Sequence, residues 1–436
     1  MKKRYENINP ELFIQNRNNL AKALKSNSIA ILNSNDQFPR NGDQLHRFHQ
    51  NSDLFWASGL DQEKCILLLF PDSPIPEYKE IAFIIESNEH LIRWEGKKYF
   101  KEEAKEVSGI DSIMYLDRFE GILHEIMGYC DTVYLNALEY FKFETDVPYR
   151  DLRFTKWIKD KYTFHTYKRL APLLLDLRLI KSEIEIDLIK TACNITGKAF
   201  RRVLKYVKAG VKEYEIQAEI EHEFTMNKAC GHAYQPIIAS GKNALCLHFT
   251  TNNDECKNGD LLLLDFGSSY ANYSSDLSRT IPINGKFSPR QKACYEAVLR
   301  VYKKAIALMV VGTSIDELNA KVGKLLESEM INLGLFSKEE VMKQPPDKPL
   351  YKKYFMHGNS HFIGLDVHDV GTKQTIFKEG MVLSCEPGLY IEEEGLGVRI
   401  ETNVLITNKG PVDLMENIPV ELEEIENLMA DQTTRV

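Results

Sequence analysis

The sequence predicts an α/β (α+β) chain of two domains, an N-terminal α/β domain over residues 1–172 and a larger domain over 173–436 made of two similar halves. Three observations carry this reading. The first ~170 residues alternate short β-rich runs with helical stretches, as in a domain with a largely buried sheet. Near residue 173 the texture changes, and Ser182-Glu-Ile-Glu185 then has the S-x-x-E spacing of a capping box, which starts a helix. A succession of helix, glycine, helix, then Gly/His-rich loops and strands occurs twice, with Gly210 and Gly312 about 102 residues apart.

In the first domain, Leu12–Leu24 and Phe119–Met127 carry apolar residues at helical spacing. Ile29–Leu32, Cys65–Phe70, Ile81–Ile85 and His90–Trp94 read as strands, with Val133–Leu135 a weaker fifth. In the second domain Ile184, Leu188, Ala192, Ile195, Ala199 and Val203 recur every three or four residues, the stripe of a helix packed on a core that stops before Gly210. The second unit opens at Ser288-Pro-Arg-Gln291, with a Ser cap, Pro at the first helical position and Gln three residues on, and ends at Gly312. Ile216 and Leu318 open the second helix of each pair. Residues 430–436 read as a polar, uncapped tail.

Composition excludes several function classes. Hydrophobic residues make up 43% and charged residues 27% of 436, the balance of a globular enzyme-sized protein. The net charge is -8, with no run of five like charges, so neither a nucleic acid nor an anionic membrane surface is expected as partner. No segment approaches the ~20 apolar residues of a membrane span, and the N-terminus offers no apolar signal region. The eight cysteines form no C-x-x-C pair and read as reduced, mostly buried thiols, so the expected location is cytoplasmic.

The chemistry lies in the second domain. Asp265 ends the apolar run Leu261-Leu-Leu-Leu-Asp, where a carboxylate needs a cation or hydrogen-bond donors. Asp276 follows eleven residues later, with Gly267 and Tyr270-Ala-Asn272 able to turn the chain back between them. His357, His361 and His368 share a glycine-interrupted stretch, Glu386 ends another apolar run, and Glu401 lies in Val-Arg-Ile-Glu-Thr-Asn-Val. Four carboxylates with one imidazole are a ligand mix for manganese, iron, cobalt or zinc held as a close pair, with Mn2+ favoured by the oxygen-rich set. Two such ions point to metal-assisted hydrolysis by a bridging hydroxide. Taken singly, each residue has an ordinary alternative: Asp265 paired with a base, Glu401 in a surface cross-strand ion pair, a histidine hydrogen-bonded in a loop.

Asp265-(x10)-Asp276, His361, Glu386 and Glu401, with the flanks His357-Gly-Asn-Ser-His-Phe-Ile-Gly-Leu-Asp-Val-His-Asp, Cys-Glu-Pro-Gly-Leu-Tyr390 and Val-Arg-Ile-Glu401, closely resemble the pita-bread metallopeptidases. Among these the chain looks most like aminopeptidase P, the Xaa-Pro aminopeptidases. Arg178-Leu-Ile-Lys-Ser-Glu resembles the opening of that catalytic domain, and Arg40–Gln62 its creatinase-like N-terminal domain. The resemblance implies a pseudo-twofold pita-bread domain in which Asp265 binds one ion, Asp276 and Glu401 bridge two, and His361 and Glu386 complete the other. It implies Glu386 as general base, His248 and His368 as groups touching substrate and stabilising the tetrahedral intermediate, and His357 as lining the proline side. Arg399 and Tyr390 would orient ligands and shuttle protons. The implied activity is release of the first residue from peptides with proline second, in a homodimer or homotetramer. A prolidase, limited to Xaa-Pro dipeptides, shares the five ligands. A non-catalytic peptide-binding module of this fold usually lacks them, a methionine aminopeptidase needs no such N-terminal domain, and creatine hydrolysis uses a relative without the metal ligands.

Overall fold

The structure, a computed structural model, describes residues 3–140 and 142–430. Of the expected tail at 430–436, Ala430 instead closes the helix Leu422–Ala430, and 431–436 lie outside the described residues, as do Met1 and Lys2. The chain divides into two compact units, Met1–Arg178 and Leu179–Val436.

The first unit is built on a six-stranded mixed sheet in the order Ser112–Tyr115, Glu80–Ile84, Ile66–Leu69, Ser28–Asn33, Thr132–Leu135, Thr166–Arg169. Ser28–Asn33 is buried along its whole length, which explains why it reads as a continuous apolar run and not an alternating one. Ile29, Ile31, Ile66, Leu68, Ile81, Phe83 and Val133 share a core with Phe119, Ile122, Leu123 and Ile126 of the helix Phe119–Met127. Apolar side chains stack there because their removal from water is the main favourable term of folding.

One predicted strand is a helix. His90–Trp94 falls in the helix Glu89–Glu95, whose first turn is capped by the Asn88 side chain accepting from the Leu91 amide at 2.9 Å. An Asn cap with Glu89 behind it outweighs the β preference of Ile92 and Trp94, which stay exposed. The edge strand Thr166–Arg169 is absent from the sequence reading because it is polar and largely uncovered, leaving no apolar alternation to detect.

In the second unit the helix Glu183–Tyr206 starts as predicted. The Ser182 amide donates to Glu185 at 2.9 Å while the Glu185 amide donates to the Ser182 hydroxyl. Its buried stripe runs through Ile189, Ala192, Cys193, Ile195, Ala199, Phe200 and Val203, so Ile184 and Leu188 flank the core contact instead of leading it. Helix Glu213–Met226 follows; helices Pro289–Leu308 and Ile315–Asn332 repeat the pattern. Gly210 and Gly312 both sit at φ +91, a left-handed conformation that favours glycine at the turn between paired helices.

Each pair precedes an antiparallel sheet. The first sheet orders Ile237–Ser240, Leu261–Asp265 and Ser278–Pro282; the second orders Val382–Cys385, Thr402–Thr407 and Gly410–Asp413. Both have their chemistry-bearing residues at strand ends, which is where a rigid scaffold can present them.

Gly267 couples this fold to the site. A Cβ there would lie 1.7 Å from the Ser275 carbonyl oxygen and 3.2 Å from the Asp276 amide, both backbone atoms that cannot rotate away. Gly267→Ala is therefore expected to destabilise by more than the ~1–3 kcal/mol of ordinary overpacking and to lower metal binding by shifting Asp276. A melting temperature and metal content equal to wild type would contradict that close approach.

Candidate metal centre and active site

All five predicted ligands lie in the second unit, each at the end of a strand or in a loop braced by one. Asp265 ends its strand opposite Ser278. The chain then folds as the hairpin Ser268–Tyr270 and Tyr273–Ser274, turning through Ala271 and Asn272 at φ +50 and +64, the positive values a tight two-residue hairpin turn uses. Asp276 emerges two residues before Ser278. Its main chain is gripped by Asn403, which accepts from the Asp276 amide at 3.1 Å and donates to its carbonyl at 2.7 Å. A predicted ligand of the first half is thus held by a strand of the second.

The stretch with His361 runs beside Val382–Cys385. The His361 amide donates to the Ser384 hydroxyl at 3.0 Å, and the Glu386 amide donates to the Asn359 carbonyl at 2.9 Å. Downstream of His368, Asp369 pairs with Lys181 at 2.8 Å, both side chains 1% exposed. Glu401 sits in the gap between Leu396–Arg399 and Thr402–Thr407 and not inside a strand. Its amide donates to the Ser278 carbonyl at 3.0 Å. At 2% exposure it is no surface ion pair.

The side chains converge. His361 Nε2 lies 3.3 Å from Asp276, 3.6 Å from Glu386 and 4.0 Å from Glu401. Its Nδ1 is 3.2 Å from the Phe362 carbonyl, a contact that places the proton on Nδ1 and leaves Nε2 for a ligand. Arg399 is a hub: it donates to Asp265 at 2.6 Å, to Tyr390 at 2.8 Å and to the Ser278 hydroxyl at 2.9 Å. Ser278 in turn donates to Glu401 at 2.7 Å. Tyr390 stands 2.9 Å from His357 Nε2, and the His357 ring packs edge-on against Phe355. His368 is exposed with its ring 4.5 Å from that of His361; His248 is also exposed and near enough to His357 to disfavour its protonation. For Asp265 the ordinary alternative also holds, since it is paired with a base; the arginine occupies one oxygen and leaves the carboxylate in the cluster.

The electrostatics call for a cation. Burial raises the Asp276 carboxyl, with His361 pulling it down and Asp265 pushing it up. Burial likewise lifts Glu386 to about 7 and Glu401 well above its ordinary value, the latter helped by Asp276 and Glu386. His361 is driven to about 9: burial opposes its charge, but Asp276 and Glu386 outweigh that, so an imidazolium stands where a cation belongs. Ligand atoms of Asp276, His361 and Glu401 lie within 4.8 Å of one another, close enough for one ion to replace that proton. Oxygen donors with one imidazole suit hard or borderline divalent ions. The residues fit a divalent metal centre. His357 goes the other way, to about 3, because burial and Arg399 both disfavour its charge.

Three groups were not singled out from the sequence. Tyr234 donates to Asp265 at 2.6 Å and also meets Asp276; Ser278 links Arg399 to Glu401; Asn403 holds Asp276. Ser278 had a signal, since the hairpin that joins Asp265 to Asp276 places a hydroxyl opposite the first carboxylate. Tyr234, at the end of Gly231-His-Ala-Tyr, had none that separates it from an ordinary core aromatic.

Comparison with known proteins agrees with this geometry. The model of metallopeptidase family M24 matches residues 187–408, and that of the aminopeptidase P N-terminal domain matches 13–134. The Xaa-Pro aminopeptidase of Haemophilus influenzae is 33% identical over 431 residues, covering 96% of this chain and 97% of its own. That of Escherichia coli is 31% identical, covering 97% and 98%. The structure of Escherichia coli aminopeptidase P with the inhibitor Pro-Leu superposes with a TM-score of 0.87 at 30% identity, over 99% of this chain and all of that one. The chain has the two-domain architecture of these proteins, with a pita-bread catalytic domain, and no helix among the described residues is long and apolar enough to cross a membrane. With the catalytic domain, the N-terminal domain and the cluster of acids all accounted for, the chain belongs to metallopeptidase family M24, on its aminopeptidase P branch.

Proposed function

We propose that this chain is an Xaa-Pro aminopeptidase, a metallo-exopeptidase that releases the first residue from peptides with proline second. The observation that carries the reading is the convergence of Asp276, Glu386 and Glu401 on His361, joined by Asp265 through Tyr234 and Arg399. Likeness over nearly the whole chain to two Xaa-Pro aminopeptidases supports the same substrate class. Asp265 would hold one ion, Asp276 and Glu401 would bridge two, and His361 with Glu386 would complete the second. A bound pair of divalent ions supplies a Lewis acid for the peptide carbonyl and a water activated near neutral pH.

The chain's own residues do the rest. Glu386, with a carboxyl raised toward neutrality, takes the proton from the attacking water and returns it toward the departing nitrogen. His248 and His368, on the rim of the cluster, stabilise charge developing on the substrate oxygen and orient the peptide. His357, edge-on to Phe355 and in contact with Tyr390, lines the side that receives proline. Arg399 keeps the Asp265 carboxylate aimed and is braced by Tyr390, and Tyr390, in contact with His357, is the one of the two able to pass a proton. The bond before proline is a tertiary amide with no N–H, so recognition has to come from ring shape.

Manganese is the proposed ion because four of the five ligands offer oxygen. A homodimer or homotetramer is proposed on the family resemblance. A cytoplasmic location is supported by the buried free thiols Cys65, Cys130, Cys193, Cys256, Cys294 and Cys385.

The test is hydrolysis of a matched pair, an Xaa-Pro dipeptide and an Xaa-Pro-Xaa tripeptide, with manganese and with chelator. Metal-dependent release of the first residue from the tripeptide is expected. Cleavage of the dipeptide alone would make the protein a prolidase, and silence on both with metal bound would favour a binding module. His248→Ala is expected to lower turnover ~100-fold with a smaller change in substrate affinity, as loss of a transition-state contact does. A larger effect on affinity than on turnover would reassign His248 to ground-state binding.

A further inference from the structure

Tyr234 touches two of the acids in the metal centre yet takes no part in the steps above. Its hydroxyl donates to Asp265 Oδ1 at 2.6 Å and also contacts Asp276 Oδ1. A phenol has one proton to give, so it cannot satisfy two carboxylates at once. With both acids ionised, as metal ligands must be, two anionic oxygens gathered on one hydroxyl need a cation to share their charge. The remaining oxygens are engaged elsewhere: Asp265 Oδ2 accepts from Arg399 at 2.6 Å, and Asp276 Oδ2 faces His361 Nε2 at 3.3 Å.

We infer that Tyr234 is a positioning residue whose hydroxyl sets the separation of Asp265 and Asp276, so that both carboxylates face a single ion. The inference rests on the ligand assignment proposed above. Tyr234 is well placed to act as a spacer, because its neighbours tie it to the Asp265 segment on both sides. The Ala233 amide donates to the Gly267 carbonyl at 2.8 Å, and Ile237 pairs with Asp265 in the sheet. The phenol therefore reaches in from a backbone already fixed against the strand end it serves. Arg399 pulls the far oxygen of Asp265 from the other direction, leaving little freedom for that carboxylate to swing out of line. Groups that orient a ligand in this way contribute to metal affinity without binding the metal.

The prediction concerns one ion more than the other. Tyr234→Phe keeps the ring and removes only the hydroxyl. In calorimetric titration of metal-free protein with manganese chloride, wild type is expected to bind two ions. The variant should bind one of them ~10–100-fold more weakly, with a clearly smaller effect on the other, which Asp276 also reaches. At subsaturating manganese, the electron paramagnetic resonance signal of a coupled ion pair should give way to that of a single ion. Tyr295→Phe serves as the comparison, since it loses a part-buried hydrogen bond to the Val420 carbonyl at 2.8 Å without touching the proposed ligands. It should lower the melting temperature and leave the isotherm intact.

A Tyr234→Phe isotherm that matches wild type would overturn the inference. So would equal weakening of both ions by Tyr234→Phe and by Tyr295→Phe, the mark of general loosening. A wild-type isotherm without two ions would instead contradict the ligand assignment on which the inference stands.

Discussion

Asp276→Asn is expected to abolish useful turnover and lower bound metal, although the folded chain should survive. Asparagine has the shape of aspartate, and the grip of Asn403 on residue 276 is on the main chain, so it is retained. What is lost is the charge at the centre of the cluster. The new amide would present a neutral oxygen or an N–H to His361 Nε2, 3.3 Å away, and to the Tyr234 hydroxyl. Groups that merely orient a metal ligand already cost ~10–100-fold when removed, so removing a ligand proposed to bridge two ions should cost at least ~100-fold in turnover. Full metal occupancy with near-normal turnover would sink the assignment.

Glu386→Gln is expected to be as damaging for a different reason. The carboxylate follows the strand Val382–Cys385, with its amide anchored on the Asn359 carbonyl, so glutamine should occupy the same place. It can still offer an oxygen toward a metal, but it cannot accept a proton. Turnover should fall ~10²–10⁴-fold, the usual contribution of a general acid–base group, even in protein that retains one ion. Retained turnover would remove Glu386 from proton transfer and leave it at most a ligand.

Much of the site was legible in sequence because its residues break the pattern around them. An aspartate closing a run of four leucines and a glutamate closing Val-Leu-Ser-Cys are visible as charges in segments that are otherwise buried, and both stand at strand ends. Glu401 illustrates the limit of that argument. Next to Arg399 it reads equally well as a surface pair, and only the fold shows that Arg399 turns away to Asp265 while Glu401 is closed off beneath Ser278. Tyr234, Ser278 and Asn403 share a further difficulty. Their importance comes from long-range contacts, with Asn403 reaching Asp276 from the other half of the domain, and no local pattern encodes such a contact.

The fold was legible to a similar degree. Capping boxes at Ser182 and Ser288 located both leading helices because those signals are local and chemically explicit. The segment His90–Trp94 was misread because a seven-residue helix with no buried side chain has no apolar stripe, and its one clear mark is the Asn88 cap just before it. The two similar halves were visible through their glycine turns, and the site is placed where strands from both halves end.

The measurement that tests the central claim most directly is the rate of Xaa-Pro-Xaa tripeptide hydrolysis by metal-free protein as manganese is added in measured equivalents. The account predicts no activity at the start, and a rise that reaches its plateau at two ions per chain. Activity that survives complete removal of divalent metal, or a plateau at a single ion, would contradict a paired centre held by Asp265, Asp276, His361, Glu386 and Glu401.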